Sequence, residues 1–327
     1  MSAHTPERQH ADHVAFLDDL AAERGLMLER DAPIGPLTTL RVGGAAERML
    51  TVESTNQLVA GLRLARDAGV SGGVLGKGSD LVVADRGIAG LVIRNRADAI
   101  EIDGTSVRAE SGLAMAALVK RCTASGLAGI EFGISIPGTV GGAVWANAGA
   151  HGGDMAQVVR RVTAWSSEGD EIRELPAGDC SFAYRESRFK TTGDVVLVVE
   201  LALRTDKPGL IGERVDTFQA HRRATQPLKD QNAGSVFRNP PDDHAGRLID
   251  AAGLKGFRLG TAEVSTLHAN FIVADRGGSA ADVRAVGDHV RSVVAERFGV
   301  ELQYEIEFVG DWPEGLRPMP EPLAGVL

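Results

Sequence analysis

Three polar residues, far apart in the sequence, have side chains suited to acid–base or anion-binding chemistry. Ser235 ends an Asn-Ala-Gly-Ser segment in which glycine permits a sharp turn, so its hydroxyl could donate a proton or a hydrogen bond. Arg185 carries a planar guanidinium that binds two carboxylate or phosphate oxygens at once. Glu305 lies among apolar residues, and burial in a closed site would raise its pKa. Each has a simpler interpretation, namely a turn-capping serine, a solvated arginine and an exposed strand position.

A glycine-rich stretch, residues 129–153, could supply a second kind of site. Eight of its 25 residues are glycine, none is lysine or arginine, and we expect neither a helix nor a regular strand. Glycine lets another group approach the backbone closely, so the turns at 137–139 and 141–142 could direct main-chain N–H groups at an anion. The interpretation is a site for a phosphate-bearing cofactor, and the alternative is a tight structural loop. The turn at 76–79, Gly-Lys-Gly-Ser, is a weaker signal of the same kind.

The composition limits the class of protein. A chain of 327 residues with 43% hydrophobic and 24% charged residues predicts a globular protein of two or three domains. The net charge of −9 argues against general nucleic-acid binding. No apolar run reaches the ~20 residues that span a bilayer, and no signal-peptide core is present, so we expect a soluble cytoplasmic protein without a membrane partner. Cys122 and Cys180 lack metal-binding or disulfide spacing, so we expect buried thiols and no metal site.

Hydrophobic periodicity and capping residues predict the elements that must hold these residues. Ser54 and Gly69 delimit one helix, and a capping box of Ser279 with Asp282 begins another, which Gly299 ends. We expect helices over residues 13–24, 54–69, 111–126, 245–252 and 279–298, and strands over residues 37–44, 73–75, 81–84, 90–94, 100–102, 107–109, 158–166, 194–204, 269–274 and 302–309. The residues from 311 onward are expected to form a loose tail.

Seven segments give the sequence a specific resemblance. They are TTLRVGG (38–44), GKGSDLVV (76–83), GISIPGTVGGAVWANAGAHGG (133–153), FAYRESRFK (182–190), TQPL with NAGSVFRNP (225–240), AGLKGFRLGTAEVSTLHANFIV (252–273) and YEIEFVG (304–310). In this order they closely resemble the UDP-N-acetylenolpyruvoylglucosamine reductase family, flavoenzymes that complete UDP-N-acetylmuramic acid in bacterial cell-wall synthesis. The short connection from Arg204 to Ser235 resembles the second type of that family.

The resemblance implies an α+β fold in which a two-subdomain FAD-binding fold of the vanillyl-alcohol-oxidase type precedes a C-terminal α+β substrate domain. On this basis we expect an N-terminal extension with a helix (1–34), FAD-binding subdomains (35–95 and 96–207), a substrate-binding domain (208–310) and a tail (311–327).

The resemblance also implies a reaction and its residues. NADPH reduces noncovalently bound FAD, and FAD then passes hydride to the enolpyruvyl double bond of UDP-N-acetylglucosamine enolpyruvate. Ser235 would protonate the adjacent carbon, while Arg185 and Glu305 would stabilise the enolate-like charge beside the substrate carboxylate. The remaining implied contacts are Gly76, Gly78, Ser79, Asp80, Pro137, Gly138, Thr139, Gly141, Gly142, Asn147 and Gly149 for the cofactor, and Tyr184, Lys229, Asn239 and Asn270 for the substrate.

Some residues depart from the family pattern. Asp80 stands where asparagine is commoner and would repel a pyrophosphate if ionised, Leu37 precedes Thr38 where asparagine is frequent, and Tyr304 replaces a usual proline. His151 raises the question of a histidine-linked flavin, although this family holds FAD noncovalently.

Two other functions remain open from the sequence. A flavin oxidase could use the same fold to oxidise an alcohol, and a noncatalytic flavin- or UDP-sugar-binding protein could keep the cavity. The combination of Ser235, Arg185 and Glu305 favours the reductase, and we expect a monomer.

Overall fold

The computed structural model describes residues 6–313 and 325–326, which form three packed units. The α-helices of this part of the chain are α1 (Pro6–Glu23), α2 (Thr55–Ala68), α3 (Met115–Ala124), α4 (Val140–Trp145), α5 (Phe189–Thr192), α6 (Pro208–Thr225), α7 (Ala245–Ala251) and α8 (Ala280–Phe298). Its strands are β1 (Glu29–Pro33), β2 (Ala45–Val52), β3 (Gly72–Leu75), β4 (Leu81–Val83), β5 (Ile88–Asn95), β6 (Ile100–Asp103), β7 (Ser106–Glu110), β8 (Leu127–Ala128), β9 (Gly149–Ala150), β10 (Gly153–Asp154), β11 (Val159–Ser166), β12 (Glu171–Pro176), β13 (Val195–Ala202), β14 (Arg204–Thr205), β15 (Gln231–Asn232), β16 (Arg258–Leu259), β17 (Ala262–Val264), β18 (Ile272–Ala274), β19 (Glu307–Val309) and β20 (Gly325–Val326).

The first unit is a five-stranded sheet with strand order β1-β2-β5-β3-β20. Its strands β2, β5, β3 and β20 are parallel neighbours, while β1 is antiparallel to β2. Helix α2 contributes Leu58 and Leu62 to the core, and α1 adds Leu17 and Ala21 to the same cluster. The connection from β3 to β4 carries the Gly76–Ser79 turn of the sequence analysis to the edge of this unit.

The second unit is an antiparallel sheet with strand order β12-β11-β13-β7-β6. Residues 195–199 of β13 are all buried, so this strand is covered on both faces. Helices α3 and α4 supply Leu118 and Val144 to its core. Helix α6 also lies against this unit, where Arg214 forms an ion pair with Glu131 at 2.8 Å.

The third unit is a four-stranded sheet, β15-β18-β17-β16, that packs with α7 and α8. After α8 the chain returns to the first unit, because β19 pairs in parallel with β4. The Asp85 carboxylate of the first unit accepts hydrogen bonds from Ser279 Oγ at 2.7 Å and from the Ala280 N–H at 2.8 Å. The proposed boundaries at residues 34, 95, 207 and 310 stay predictions.

The capping residues delimit helices as expected. Ser54 Oγ accepts a hydrogen bond from the Gln57 N–H at 3.3 Å, and Gly69 ends α2 in the left-handed conformation at φ 66°. Ser279 and Gly299 do the same for α8. The predicted capping box is wrong for Asp282. Instead of completing the box, its Oδ2 accepts hydrogen bonds from the N–H and the hydroxyl of Thr261.

The strand predicted over residues 37–44 is wrong. Residues Gly35–Leu37 form a 3₁₀ turn, and β2 begins only at Ala45. The Thr38 hydroxyl donates to the Gly35 carbonyl and accepts from the Arg41 N–H, both at 3.0 Å, while Arg41 lies at φ 57°. These local side-chain hydrogen bonds take the place of main-chain hydrogen bonds to a neighbouring strand. The segment is rich in residues that favour strands, and the sequence therefore predicted a strand here.

Three other predicted elements are shorter or more regular than expected. The 302–309 strand is regular only as β19, so Glu305 precedes it. The helix predicted from residue 111 begins at Met115, because the Ser111 N–H donates to the Leu197 carbonyl at 2.9 Å and stays with the sheet. The glycine-rich stretch contains a 3₁₀ turn (Glu131–Ser135) and α4, which corrects the expectation of no helix.

The predicted loose tail is also corrected in part. Trp312 is 2% exposed, and its Nε1–H donates to the Val309 carbonyl at 3.1 Å. Strand β20 pairs with β3. The rest of the predicted tail, residues 314–324 and 327, lies outside the described residues.

Two expectations from composition can be compared with this fold. Cys122 and Cys180 are buried free thiols, and burial raises their pKa values to about 12 and about 11. Among the described helices, none combines the length and apolar character needed to cross a membrane.

Candidate active site

A cavity of about 1890 Å³ lies where the three units meet. Its lining comes from the β3–β4 connection, the glycine-rich stretch, the loop before α5, the segment around Ser235 and the segment that leads into β19. Ten of the eleven predicted cofactor contacts line it, and so do the three predicted catalytic residues. The fold therefore gathers into one space residues that are up to 229 positions apart in the chain, from Gly76 to Glu305.

Two glycine turns from different units form one wall of the cavity. A Cβ atom placed on Gly76 would lie 2.7 Å from Thr139 Oγ1, and one placed on Gly138 would lie 3.1 Å from Ser79 Oγ. The first distance is too short for any side chain, so the β3–β4 connection contacts the N-cap residue of α4 directly. Glycine at position 76 is what lets the Thr139 side chain pack against the backbone of this connection.

This wall offers main-chain donors to a ligand. Within residues 6–313 and 325–326, the N–H groups of Lys77, Gly78, Ser79, Gly138 and Thr139 have no protein acceptor. Unpaired N–H groups on consecutive residues beside a cavity form an anion-binding surface. The wall is therefore suited to a diphosphate group.

A tight turn presents Arg185. Ala183 and Glu186 exchange two main-chain hydrogen bonds of 3.0 and 3.1 Å, and Arg185 between them lies at φ 56°. Asn147 Nδ2 of the glycine-rich stretch donates to the Ala183 carbonyl at 2.8 Å. The Ser187 hydroxyl donates to the Trp145 carbonyl at 2.6 Å. The glycine-rich stretch thus holds the turn from both sides.

The guanidinium of Arg185 is fixed by two acceptors. Its Nε–H donates to Glu305 Oε1 at 2.5 Å, and one terminal N–H donates to the Gly149 carbonyl at 3.1 Å. The side chains of Arg185 and Glu305 are 21% and 23% exposed, so the pair faces the cavity while being partly shielded from water. A charge-assisted bond of this length fixes both partners in orientation.

The segment that follows Ser235 pairs with the segment that carries Glu305. The Glu305 N–H donates to the Val236 carbonyl at 2.8 Å, and the Arg238 N–H donates to the Gln303 carbonyl at 2.9 Å. The segment after Ser235 therefore runs antiparallel to the segment that ends at Glu305. Among the described residues, no side-chain or main-chain group hydrogen-bonds the partly exposed Ser235 hydroxyl.

Sequence reasoning gave no role to a second ion pair in the cavity. Lys190 Nζ lies 3.1 Å from Glu307 Oε1 and 4.2 Å from the centre of the Trp145 ring. The Glu307 N–H donates to the Asp80 carbonyl at 2.8 Å. Burial, with the nearby Glu307 charge, raises the pKa of the Asp80 carboxyl to about 6, against the effect of Lys190. The spacing of Glu307, two residues after Glu305, was the available signal, because alternate residues of an extended segment share a face.

Only one of the four predicted substrate contacts is among the residues that line the cavity. Lys229 lines the cavity, whereas Tyr184, Asn239 and Asn270 are not among its lining residues in the described chain. Tyr184 is 53% exposed, and its hydroxyl accepts from the Asn239 N–H at 3.4 Å. Asn239 Oδ1 accepts from the Ala245 N–H of α7 at 3.1 Å.

Two predicted contacts use their amide groups within the protein. Asn270 is buried and pairs with both the N–H and the carbonyl of Phe237, at 3.0 and 2.8 Å. Asn147, the predicted cofactor contact outside the lining, bonds Ala183 as above, and its Oδ1 accepts from the Ala156 N–H at 2.9 Å. Both side chains therefore hold the backbone that carries other site residues.

His151 lines the cavity near α6. Its Nε2 lies 2.9 Å from Ser135 Oγ, and its ring stacks on Phe218 with centroids 4.1 Å apart. Burial, followed by the charge of His221, lowers the pKa of His151.

Comparisons with known proteins agree with this arrangement. Residues 46–174 match the FAD binding domain family, and residues 226–309 match the C-terminal domain of UDP-N-acetylenolpyruvoylglucosamine reductase. UDP-N-acetylenolpyruvoylglucosamine reductase 2 of Symbiobacterium thermophilum is 45% identical over 88% of this chain and 93% of its own length. The chain belongs to the UDP-N-acetylenolpyruvoylglucosamine reductase family.

Further members support the same family assignment. The reductase of Moorella thermoacetica is 39% identical over 93% of this chain and 100% of its own length. The crystal structure of the Thermus caldophilus reductase matches with a TM-score of 0.76 and 33% identity, covering 88% of this chain and all of that one. The expected α+β fold with an FAD-binding domain and a C-terminal domain is confirmed, and the protein is an FAD-dependent oxidoreductase.

Proposed function

We propose that the protein uses NADPH and FAD to reduce the enolpyruvyl group of UDP-N-acetylglucosamine enolpyruvate to UDP-N-acetylmuramate. One observation carries the proposal: the Arg185–Glu305 ion pair and the Ser235 hydroxyl share one cavity with the glycine turns. An oxidase has no need of a carboxylate-binding cation and a proton donor together. Reduction of a double bond beside a carboxylate needs both.

The wall of unpaired N–H groups suits the diphosphate of FAD. The groups at residues 77–79 and at 138–139 would hold its oxygens, and glycine at position 76 permits the close contact between the two turns. Bound there, FAD would supply the transfer of hydride from NADPH to the enolpyruvyl double bond. Asp80, Pro137, Gly141, Gly142 and Gly149 complete the proposed cofactor contacts, with Asn147 acting through the main chain.

Arg185 would bind the substrate carboxylate. Hydride addition to the double bond moves negative charge toward that carboxylate, so a fixed guanidinium is most effective in the transition state. Glu305 holds the guanidinium by its Nε–H, one terminal N–H donates to the Gly149 carbonyl, and the remaining terminal N–H groups would bind the substrate. Glu305 thereby orients the cation that stabilises the enolate-like charge.

Ser235 would supply the proton. One carbon of the double bond would receive the hydride, and the Ser235 hydroxyl would donate its proton to the adjacent carbon and regain a proton from solvent. The hydride from NADPH and one solvent proton together saturate the bond. A hydroxyl is a weak acid in water, but one held against the reacting carbon is competent.

The remaining substrate contacts are proposed around this centre. Lys229 lines the cavity and suits the UDP diphosphate. Tyr184, Asn239 and Asn270 lie outside the lining and would act through the main-chain and side-chain hydrogen bonds that they form. A reaction that consumes NADPH and a sugar nucleotide belongs in the cytoplasm. Because every proposed residue comes from one chain, a monomer suffices.

An anaerobic titration tests the proposal. The visible spectrum of the purified protein is recorded, NADPH is added, and UDP-N-acetylglucosamine enolpyruvate follows. We expect NADPH to bleach the flavin band and the sugar nucleotide to restore it. A flavin that stays reduced until oxygen enters would contradict the proposed substrate and favour an oxidase, and a colourless protein without NADPH turnover would contradict an enzyme.

A further inference from the structure

Tyr304 lies between the two segments that carry Ser235 and Glu305. It directly precedes Glu305, and it forms an antiparallel bridge with Phe237, two residues after Ser235. Its ring stacks on the Phe237 ring with centroids 5.0 Å apart and meets the Phe308 ring edge-on at 4.8 Å. One side chain thus contacts both segments of the proposed proton-delivery site.

Gly287 of helix α8 leaves space for this ring. A Cβ atom on Gly287 would lie 2.6 Å from the Tyr304 hydroxyl and 3.0 Å from a ring carbon. Glycine in a helix interior costs about 0.5–1 kcal/mol relative to alanine, so the space is kept at the expense of helix stability. The ring therefore reaches the helix backbone and sits in a fixed place.

Three charged side chains of α8, those of Arg284, Asp288 and Arg291, surround the hydroxyl and ring of Tyr304. The hydroxyl donates to Asp288 Oδ1 at 2.8 Å, and Asp288 Oδ2 accepts from Arg284 Nε at 2.9 Å. The guanidinium groups of Arg284 and Arg291 lie 5.3 and 5.1 Å from the centre of the Tyr304 ring. Burial raises the pKa of Tyr304, which keeps the phenol a hydrogen-bond donor. Asp288 therefore holds the ring at its hydroxyl, and the two arginines contact its face.

We propose that Tyr304 is a positioning residue for proton delivery, which fixes the Ser235 and Glu305 segments on α8. The inference rests on the proposed function, because it assigns Tyr304 a task only in the half-reaction that uses Ser235. Glu305 directly follows Tyr304 in the chain, so a shift of the ring moves the Glu305 carboxylate and, through it, Arg185.

The test separates the two half-reactions by anaerobic stopped flow. Tyr304→Phe keeps the ring and removes the bond to Asp288, and Asp288→Asn weakens the same bond from the other side. We expect either change to slow flavin reoxidation by UDP-N-acetylglucosamine enolpyruvate about tenfold, since small misplacements of catalytic groups cost up to about 10²-fold. Flavin reduction by NADPH should change less than about twofold, because it does not use Ser235. Asp250→Asn, which breaks an exposed Lys255 pair on α7, is the matched control.

A Glu305→Gln background shows whether Tyr304 acts through the catalytic residue. If it does, Tyr304→Phe adds little further slowing there, whereas independent effects would multiply. Equal slowing of both half-reactions, or normal reoxidation in both single variants, would overturn the inference while leaving the proposed function intact. Multiplied effects in the Glu305→Gln background would assign the action of Tyr304 to the Ser235 segment. If Tyr304→Phe loses its flavin spectrum, Asp288→Asn decides the question. Wild-type protein that cannot reoxidise with the sugar nucleotide would remove the proposed function and this inference with it.

Discussion

At the scale of single residues, the site depends on conformations that composition does not reveal. Arg185 reaches Glu305 from a backbone at φ 56°, a region that non-glycine residues seldom adopt. Hydrogen bonds from Asn147 and Ser187 hold the turn in that conformation. The sequence indicated three side chains for the proposed chemistry, but it could not show that Asn147, expected to contact the cofactor, would also hold this turn.

Replacing Ser235 tests the proton step at this scale. Ser235→Ala should leave reduction of the flavin by NADPH almost unchanged and slow reoxidation by the sugar nucleotide about 10²- to 10⁴-fold, the range for loss of a general acid. Anaerobic stopped flow at the flavin band measures both rates, with Ser167→Ala at an exposed position as the control. Equal slowing of both steps would show that Ser235 is not the proton donor.

Asp80 gives a prediction about pH. Its pKa is raised from 3.8 to about 6 in the folded protein, so the folded state holds a proton that the unfolded chain releases near pH 4. Stability of the cofactor-free protein should therefore fall as pH rises from about 4 to 6 and remain reduced above that range. Asp80→Asn should stabilise the protein at pH 7.5 by about 1–2 kcal/mol, a figure reduced because the side chain is partly exposed to screening water.

Urea unfolding of the cofactor-free protein at a series of pH values measures this difference. The gain from Asp80→Asn should shrink as pH approaches 4, while Asp98→Asn, at an exposed position, should show no such trend. A gain that does not depend on pH would show that ionisation of Asp80 is not its cause.

At the scale of elements, prediction succeeded where local signals decide the outcome. Ser54, Gly69 and Gly299 delimit their helices because the bonds they satisfy lie within the same turn. Prediction failed where a residue distant in the sequence forms the hydrogen bond that a local residue was expected to form. Asp282 has the spacing of a capping box, yet its carboxylate bonds Thr261, and the N–H groups that begin α8 are satisfied by Asp85 from another unit. No pattern in the sequence links Asp85 to α8.

The Asp85 contact predicts how firmly the third unit is attached. Asp85 accepts from Ser279 Oγ and from the N–H groups of Ala280 and Ala281, the last at 3.1 Å. Asp85→Ala should lower the free energy of unfolding by about 1–2 kcal/mol, the effect of losing a helix N-cap with its favourable charge. Urea unfolding followed by circular dichroism measures the change, against Asp98→Ala as the control. A loss no greater than in the control would mean that α8 begins without help from the first unit.

At the scale of the whole molecule, the cavity is a product of tertiary structure. Its wall of N–H groups needs one turn from the first unit and one from the second, and its ion pair needs Arg185 and Glu305, 120 positions apart. Composition could indicate that both glycine turns approach an anion. It could not show that they contact each other, or that Lys190 and Glu307 add a second ion pair beside the first.

This contact yields a prediction that does not depend on turnover. Gly76→Ala would bring a methyl group to 2.7 Å from Thr139 Oγ1, so one turn must move away from the other. Overpacking of this kind costs about 1–3 kcal/mol, and we expect the dissociation constant for FAD to rise roughly tenfold because the donors no longer converge. Fluorescence titration of the cofactor-free protein with FAD measures the constant, with Gly178→Ala, where a Cβ meets open space, as the matched control. Unchanged FAD affinity alongside a lowered melting temperature would show that the two turns stabilise the fold without holding the cofactor. Because neither substitution touches Ser235, Arg185 or Glu305, the result tests the cofactor wall independently of the proposed reaction.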